Sequence, residues 1–429
     1  MRSSFKVIIC LLLFNVLITS SNIMELSPVV YSSTLSNIEV SELNDFEIEF
    51  TDANLHNLVA EKINKGSEDK LFFQEVQGIE ELNGNTRSIQ NLTGLNYLTH
   101  LKQLDLGNNR INDISALSNL KELKGLYLNR NAISDLTPLV NLTELEILSL
   151  DENDITSIDP LKNLSNLKIL YLSNNQQLEN MGALRVLDQL ESLSLDNTMV
   201  GDFKLLKGLK RLKRLHFSYN GNIRNFGDVI NLKELEYLSL NGNEIDDIRA
   251  LAGLEKLYEL HLLDNEITDV SPLAKLKGLK ILFIRGNNIK DYRPIAELYK
   301  DLNFKDFIIV EDVDFDKKSI ELKTGDKVLL KVNVIPEDAS NRTVKWRFDP
   351  KFIEVTEDGL LTAIKTGNTV VTVISEDGSY EEKCTVNVKY FVDWNQIIIN
   401  IAVGVIAGLF VFNFTSKRYK KKMKSTSND

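Results

Sequence analysis

The chain has 429 residues, of which 43% are hydrophobic and 26% charged, so it is long enough for two or three domains and ordinary in composition for a folded protein. Its net charge is −11, and because the first 21 residues carry +2 and the last 15 carry +5, the residues between them carry −18. Such an acidic body argues against nucleic acid and anionic polymers as main ligands, and it favours a partner with a basic face.

The chain begins with an apolar segment. Residues 1–21, MRSSFKVIICLLLFNVLITSS, place Arg2 and Lys6 before an apolar stretch and small residues after it, which predicts a secretory signal peptide. The alternative is an uncleaved N-terminal anchor helix. Residues 22–45 are predicted to be a polar spacer. With the signal peptide removed, Cys384 is the only cysteine, so no internal disulfide can form and a secreted chain must rely on its core.

Residues 46–78 predict a helical cap. Thr51 or Asp52 can cap a helix whose apolar face ends before Gly66, and a second short helix is expected from Ser67. The residues of that apolar face are Leu55, Leu58, Val59 and Ile63. A repeat array exposes apolar surface at its ends, and a cap of this kind covers it.

Residues 79–300 contain about ten copies of a leucine pattern with a step of 22 or 23 residues, L-x-x-L-x-L-x-x-N-x-I-x-x-I-x-x-L-x-x-L. The copies begin at Leu101, Leu123, Leu145, Leu167, Leu190, Leu212, Leu235, Leu257 and Leu279, with a weaker copy at Ile79. The x-L-x-L-x alternation predicts a short strand, and the later three-residue steps predict a tight helical or 3₁₀ return. One coil cannot bury its leucines alone, so stacked coils with a parallel sheet are expected.

The asparagine of each copy falls where the chain turns after the strand, and its amide can satisfy buried backbone groups. A stacked ladder is therefore predicted, in which Thr198 replaces one amide by a hydroxyl. Its asparagines are Asn109, Asn131, Asn153, Asn175, Asn220, Asn243, Asn265 and Asn287.

The stretches LKNLSNLKILYLSNN and LTPLVNLTELEILSLDENDITSIDPL closely resemble the 22-residue leucine-rich repeats of internalin-like surface proteins of Gram-positive bacteria. The segment before the repeats resembles the helical cap of that family. The resemblance implies adhesion to host or neighbouring cells.

Residues 301–390 change to a period of two, with short runs such as VLLKVNV, VKWRF and CTVNV, which predicts an all-β sandwich. The pieces LKTGD, VIPEDA, VKW and GLLTAIKTG resemble bacterial Ig-like domains of group 2, which implies a spacer role. Cys384 alternates inward with valines and is expected to be a buried structural thiol. Asp312, Asp314 and Asp316 raise the question of calcium, but the spacing lacks the glycine and glutamate of an EF-hand, so a solvated strand edge is favoured.

Residues 394–414 predict one transmembrane helix, because 18 apolar residues at about 1.5 Å each just cross a bilayer. The basic tail, residues 415–429, predicts a cytoplasmic C-terminus and an extracellular N-terminus. Gly404 and Gly408 form a G-x-x-x-G, interpreted as chance rather than as a helix-pairing motif. The L-P-x-T-G of wall-bound internalins is replaced by YFVDWNQ, which favours a retained membrane helix over sortase attachment.

The sequence offers no catalytic constellation, so an enzyme, a cofactor and a metal site are not predicted. His216 and His261 share a column of the repeat sheet, but two coils separate them by roughly 10 Å, too far for easy sharing of one zinc ion. The chain contains no G-x-S-x-G, no H-E-x-x-H and no phosphate loop.

The predicted fold is thus an α/β leucine-rich-repeat solenoid with a parallel β-sheet on its concave side, a helical cap, an Ig-like sandwich and one transmembrane helix. Two groups of apolar and aromatic residues face the concave side and are predicted to bind a protein partner, although β-propensity alone also favours such residues in strands. The groups are Tyr127, Ile147, Ile169 and Tyr171, and Tyr237, Leu263, Ile281 and Phe283. The leading hypothesis is a cell-surface adhesion protein; the alternative is a membrane-anchored envelope sensor or assembly component without a host partner.

Overall fold

A computed structural model describes residues 45–224, 226–390 and 394–425, so the predicted signal peptide and nearly all of the polar spacer lie outside the described residues. Helix α1, Ala53–Lys62, begins at Asp52, whose side chain accepts hydrogen bonds from the backbone N–H groups of Asn54 and Leu55. It ends four residues before Gly66, and helix α2, Phe73–Val76, follows. Leu55, Leu58 and Val59 of α1 are buried against the first coils, as a cap requires.

The repeats form an 11-stranded sheet in which the strands follow one another in chain order and every neighbouring pair is parallel. The strands are β1 (Glu81–Asn83), β2 (Gln103–Asp105), β3 (Gly125–Tyr127), β4 (Ile147–Ser149), β5 (Ile169–Tyr171), β6 (Ser192–Ser194), β7 (Arg214–His216), β8 (Tyr237–Ser239), β9 (Glu259–His261), β10 (Ile281–Phe283) and β11 (Phe304–Lys305). Strand β11 lies beyond the last copy of the leucine pattern and extends the sheet by one strand.

The return of each coil is a short 3₁₀ helix, as the three-residue spacing predicts. These helices are Leu95–Tyr97, Ser115–Leu117, Thr137–Leu139, Asp159–Asn163, Gly182–Arg185, Phe203–Leu206, Phe226–Asn231, Arg249–Gly253, Ser271–Lys275 and Arg293–Ile295. Helix α3, Ala296–Asp301, closes the last coil before β11. The leucines of strand and return pack into one continuous core that runs from the cap to Phe307.

The predicted asparagine ladder is present. In one coil the Asn175 amide donates to the carbonyls of Leu150 (3.0 Å) and Leu172 (2.8 Å), and its oxygen accepts from the N–H of Ile155 at 3.0 Å. Thr198 substitutes in part: its hydroxyl donates to the Leu195 carbonyl at 2.9 Å. The ladder therefore joins each coil to the one before it through buried backbone groups.

The segment after β11 is a β-sandwich with its own core, which includes the buried Cys384. Its strands are β12 (Asp312–Phe315), β13 (Ser319–Lys323), β14 (Lys327–Leu329), β15 (Val332–Ile335), β16 (Val344–Arg347), β17 (Ile353–Val355), β18 (Leu360–Ala363), β19 (Gly367–Ser375) and β20 (Glu381–Lys389). They form sheets in the orders β13-β20-β19-β16, β14-β18-β17 and β12-β15. Asp314 pairs with Lys318 at 2.5 Å, an ion pair on the surface of the sandwich.

Helix α4, Trp394–Ser425, is the C-terminal element. Its segment Gln396–Lys420 has a mean hydropathy of 2.4 and is long and apolar enough to cross a membrane. The architecture predicted from the sequence, with solenoid, cap, Ig-like sandwich and C-terminal apolar helix, is thereby confirmed.

Candidate functional site

The concave face of the repeat sheet is built from the residues that alternate with the buried leucines. In each of the strands β1 to β10 the central leucine points into the core, so the residues on either side of it point the opposite way. The parallel register makes residues of successive coils direct neighbours about 4.8 Å apart. Because the core beneath is continuous, the coil fixes the positions of these side chains without any contact from a partner.

The first predicted group comes together on β3 to β5, and we call it the tyrosine–isoleucine patch (Tyr127, Ile147, Ile169, Tyr171). Ile147 and Ile169 are direct register partners. Tyr127 and Tyr171 lie on either side of Ser149, whose small side chain separates the two rings. All four patch residues are half-buried.

The second predicted group is arranged differently from a simple apolar cluster. Glu259 lies in register between Tyr237 and Ile281, so those two residues are not neighbours. Leu263 lies just beyond β9, where its N–H donates to the Asn241 side chain at 2.8 Å. The sequence therefore places these residues on one face, but it does not determine which of them touch.

An aromatic row crosses four coils instead, formed by His216, Tyr237, His261 and Phe283. Ring centroids are 4.5 Å apart for His216 and Tyr237, 5.5 Å for Tyr237 and His261, and 4.8 Å for His261 and Phe283. The tilted and edge-on angles are those that aromatic pairs prefer. Stacking holds the rings in place while leaving them half-exposed on the concave side.

Two charged groups frame the row. The guanidinium of Arg214 lies 4.9 Å from the centre of the Tyr237 ring, a cation–π contact. Glu259 Oε1 lies 2.7 Å from His261 Nε2. From sequence the two histidines were weighed only as a metal pair, whereas in the structure the ring of Tyr237 lies between them. The available signal was their shared column, since an aromatic residue in the intervening coil is only one strand away from each histidine.

Small polar residues cover the middle of the sheet, between the patch and the row. Ser173 and Ser194 hydroxyls are 2.5 Å apart, and those of Ser218 and Ser239 are 2.8 Å apart. On β6 both concave residues are serines, Ser192 and Ser194. The centre of the face is therefore lower and more polar than the two aromatic regions beside it.

Two half-buried carboxylates flank these serines. Asp151 accepts from the Ser173 N–H at 2.7 Å, yet burial raises its pKa to about 6. Asp196 accepts from the Ser218 N–H at 2.5 Å, and burial raises the pKa of this carboxyl as well. Asp196 Oδ2 is 3.9 Å from His216 Nδ1, but burial lowers the pKa of His216, which leaves the ring neutral at neutral pH.

The described surface also has clefts outside the concave face of the sheet. A cleft of about 540 Å³ lies on the flank of the solenoid, beside the 23-residue coil that begins at Leu212. It is lined by Ile223, Phe226, Glu244, Asp247 and Arg249 among others. In the described parts of the chain, no group of three or more His, Cys, Asp or Glu side chains is arranged to hold a metal ion.

Comparison with known proteins agrees with this architecture. The family "Bacterial Ig-like domain (group 2)" matches residues 309–386, and "Leucine Rich repeats (2 copies)" matches residues 99–141, 121–163, 143–186 and 233–275. Comparison with curated proteins gives no match.

Several solved structures are similar. An internalin (inlF) from Listeria monocytogenes is 32% identical, with a TM-score of 0.58, over 61% of this chain and 78% of its own. An internalin C2 (inlC2) from the same species is 28% identical over 60% of this chain and 94% of its own, with a TM-score of 0.38. The first of these combines identity, coverage and a shared fold. The chain therefore belongs to the internalin family of leucine-rich-repeat proteins and carries a group 2 bacterial Ig-like domain behind its repeats.

Proposed function

We propose that this protein is a bacterial cell-surface protein that binds another protein through the concave face of its repeats, in adhesion to host or neighbouring cells. The observation that carries the proposal is the aromatic row together with the tyrosine–isoleucine patch, held half-exposed on a rigid sheet. Binding hot spots are rich in aromatic side chains and arginine, and pre-ordered rings lose little entropy when a partner covers them.

The proposed orientation places the solenoid outside the cell. Segment Gln396–Lys420 of α4 would be retained in the membrane, with its basic end in the cytoplasm. The Ig-like sandwich would hold the repeats away from the lipid. The predicted signal peptide would direct the chain to this location.

Attachment of cells that produce the full chain tests this function. Bacteria with the wild-type chain should attach to host cells or to neighbouring bacteria better than a deletion strain. Tyr171→Ala, and separately Tyr237→Ala with Phe283→Ala, should reduce partner affinity by at least about tenfold, because each removes rings from the centre of the contact. The fold should persist, since these residues are half-exposed and not part of the leucine core.

Tyr258→Ala is the matched control, because Tyr258 is 49% exposed and lies one residue before β9. This variant should attach as the wild type does at equal surface level. If the concave variants attach normally, the concave face is not the binding site. A deletion strain that attaches normally but loses envelope integrity would favour the envelope role instead.

A further inference from the structure

The lowest part of the concave face lies at β6, and we call it the serine gap (Ser192, Ser194). The strand before it presents Ile169 and Tyr171, and the strand after it presents Arg214 and His216. Since neighbouring strands are about 4.8 Å apart, these bulky walls stand roughly 10 Å apart across the gap. That width admits one extended aliphatic chain between the walls.

The carboxylates next to the gap have no strong cationic partner. In the part of the chain that the structure describes, neither Asp151 nor Asp196 has a lysine or arginine within ion-pair distance. The basic side chain within that distance of Asp196 is His216, at 3.9 Å. Carboxylates on the flank differ: Glu146 pairs with Lys168 at 2.6 Å and Glu191 with Lys213 at 2.7 Å. Half-buried carboxylates without a cation are costly, and a cation placed between them removes much of that cost.

Arg214 does not fill this role. Its guanidinium lies over the Tyr237 ring, on the side of β7 that faces away from the gap. Arg214 is also the first residue of β7, whereas Asp196 aligns with Ser218, four residues further along that coil. The two positions are therefore roughly 13 Å apart along the strand direction.

We propose that the serine gap receives a lysine or arginine side chain of the partner protein, whose charged group pairs with Asp151 and Asp196. This proposal rests on the proposed concave-face function and specifies the partner. Ser173 lies between the two aspartates in the sheet, so a charged group above it is roughly 5 Å from each of them. The aliphatic stem packs against Ile169 and Tyr171, as long cationic side chains commonly do on apolar surface. The net charge of −18 between the two ends steers a basic partner towards the face.

A library of disulfide-constrained peptides, selected against the full chain in lipid nanodiscs, supplies the probe. We expect selected peptides that depend on Tyr237 and Phe283 to share one lysine or arginine. Replacing that residue by methionine should weaken binding to the wild type about tenfold. The same replacement should have no effect on binding to the variant with Asp151→Asn and Asp196→Asn. Asparagine keeps an acceptor for the backbone N–H groups, and a melting curve checks that this variant remains folded.

A variant with Glu244→Gln and Glu266→Gln is the control, because it loses the same two charges at the flank cleft, off the concave face. It should keep the full tenfold difference, which separates local pairing from overall charge. Peptides that need Tyr237 and Phe283 but bind equally with lysine or methionine would overturn the serine-gap proposal and leave concave-face binding intact. Peptides that need neither would overturn both. Calcium that raises the melting temperature, with the effect lost in the aspartate variant, would assign the carboxylates to a metal and overturn it as well.

Discussion

Replacing Asn175 by alanine should destabilise the repeat array although it leaves every leucine in place. Asn175 is fully buried, and its amide group makes three hydrogen bonds, to the Ile155 N–H and to the carbonyls of Leu150 and Leu172. Alanine removes both the donor and the acceptor of this amide. It leaves two buried backbone groups unpaired, the Ile155 N–H and the Leu172 carbonyl, because the Leu150 carbonyl still accepts from the Asn153 amide at 3.1 Å. At about 1 to 3 kcal/mol for each unsatisfied group, the free energy of unfolding should fall by roughly 2 to 6 kcal/mol.

Thermal unfolding of the full chain in nanodiscs measures this loss. For a domain of this size 1 kcal/mol corresponds to about 2–4 °C, so we expect the repeat transition to fall by roughly 10 °C. Asn175→Thr should lie between alanine and wild type, because Thr198 occupies the equivalent position of the next coil and its hydroxyl reaches one carbonyl, that of Leu195.

Asn166→Ala is the matched control, since Asn166 is exposed and bonds a single carbonyl, that of Thr143. It should change the stability by no more than about 0.5 kcal/mol. If Asn175→Ala and Asn166→Ala melt together, the ladder adds nothing to stability. The recurrence of asparagine would then need a conformational explanation at the turn.

The remaining predictions concern the core and the charge of the face. Leu150→Asp should unfold the array, because Leu150 is fully buried and an unpaired charge there costs several kcal/mol. The control Leu329→Asp, at a residue that is 57% exposed, should give a normal melting curve. A normal melting curve for Leu150→Asp would refute the assigned register. Asp151→Asn tests the pH dependence of stability. Burial raises the pKa of Asp151 from 3.8 to about 6, and repulsion from Glu152 and Asp196 adds to the shift. The protonated carboxyl of Asp151 therefore stabilises the fold fully below pH 3.8, and this stabilisation is lost as the pH rises through 6. Relative to Asp151→Asn, the wild type should therefore lose stability between about pH 4 and about pH 7.5, and a difference that does not change with pH would contradict this.

The sequence predicts the solenoid well because its pattern is local and repeated. Alternation around each leucine specifies a strand face, and the three-residue steps specify the return, so an error in one coil would be corrected by its neighbours. Strand β11 is not predicted in this way, because Phe304–Lys305 carries no leucine pattern. It pairs with the free edge of β10, while Leu302 and Phe307 on either side of it are buried in the repeat core. The end of α1 at Lys62, before the predicted stop at Gly66, has a local cause. Asn64 adopts the left-handed conformation (φ 60°), and the Lys65 N–H donates to the Ala60 carbonyl at 2.8 Å.

The candidate site was less predictable, for a physical reason. A strand pattern assigns residues to a face, but ring contacts depend on register and side-chain rotamers, which no spacing determines. Tyr237 and Ile281 were predicted to belong to one group on the concave face, and the structure shows which contacts Tyr237 makes: its ring lies between two histidine rings. The raised pKa of Asp151 depends on the side chains that bury it.

The positions of two energetically unfavourable carboxylates, Asp151 and Asp196, support the proposed binding role of the concave face. The leucine core buries apolar side chains and the asparagine ladder pairs buried polar groups, so both stabilise the fold. The carboxylates Asp151 and Asp196 are instead half-buried without a cation, which is unfavourable. Serine or asparagine in the same column, as at Ser173 and Ser218, would bond the next coil without a charge. The stability of the continuous core offsets the free-energy cost of burying these two carboxylates. Energetically unfavourable residues that are concentrated on one accessible face are typical of surfaces selected for binding rather than for folding. Asp151 and Asp196, which lie two residues beyond β4 and β6, are therefore the positions at which the proposed partner would supply a cation.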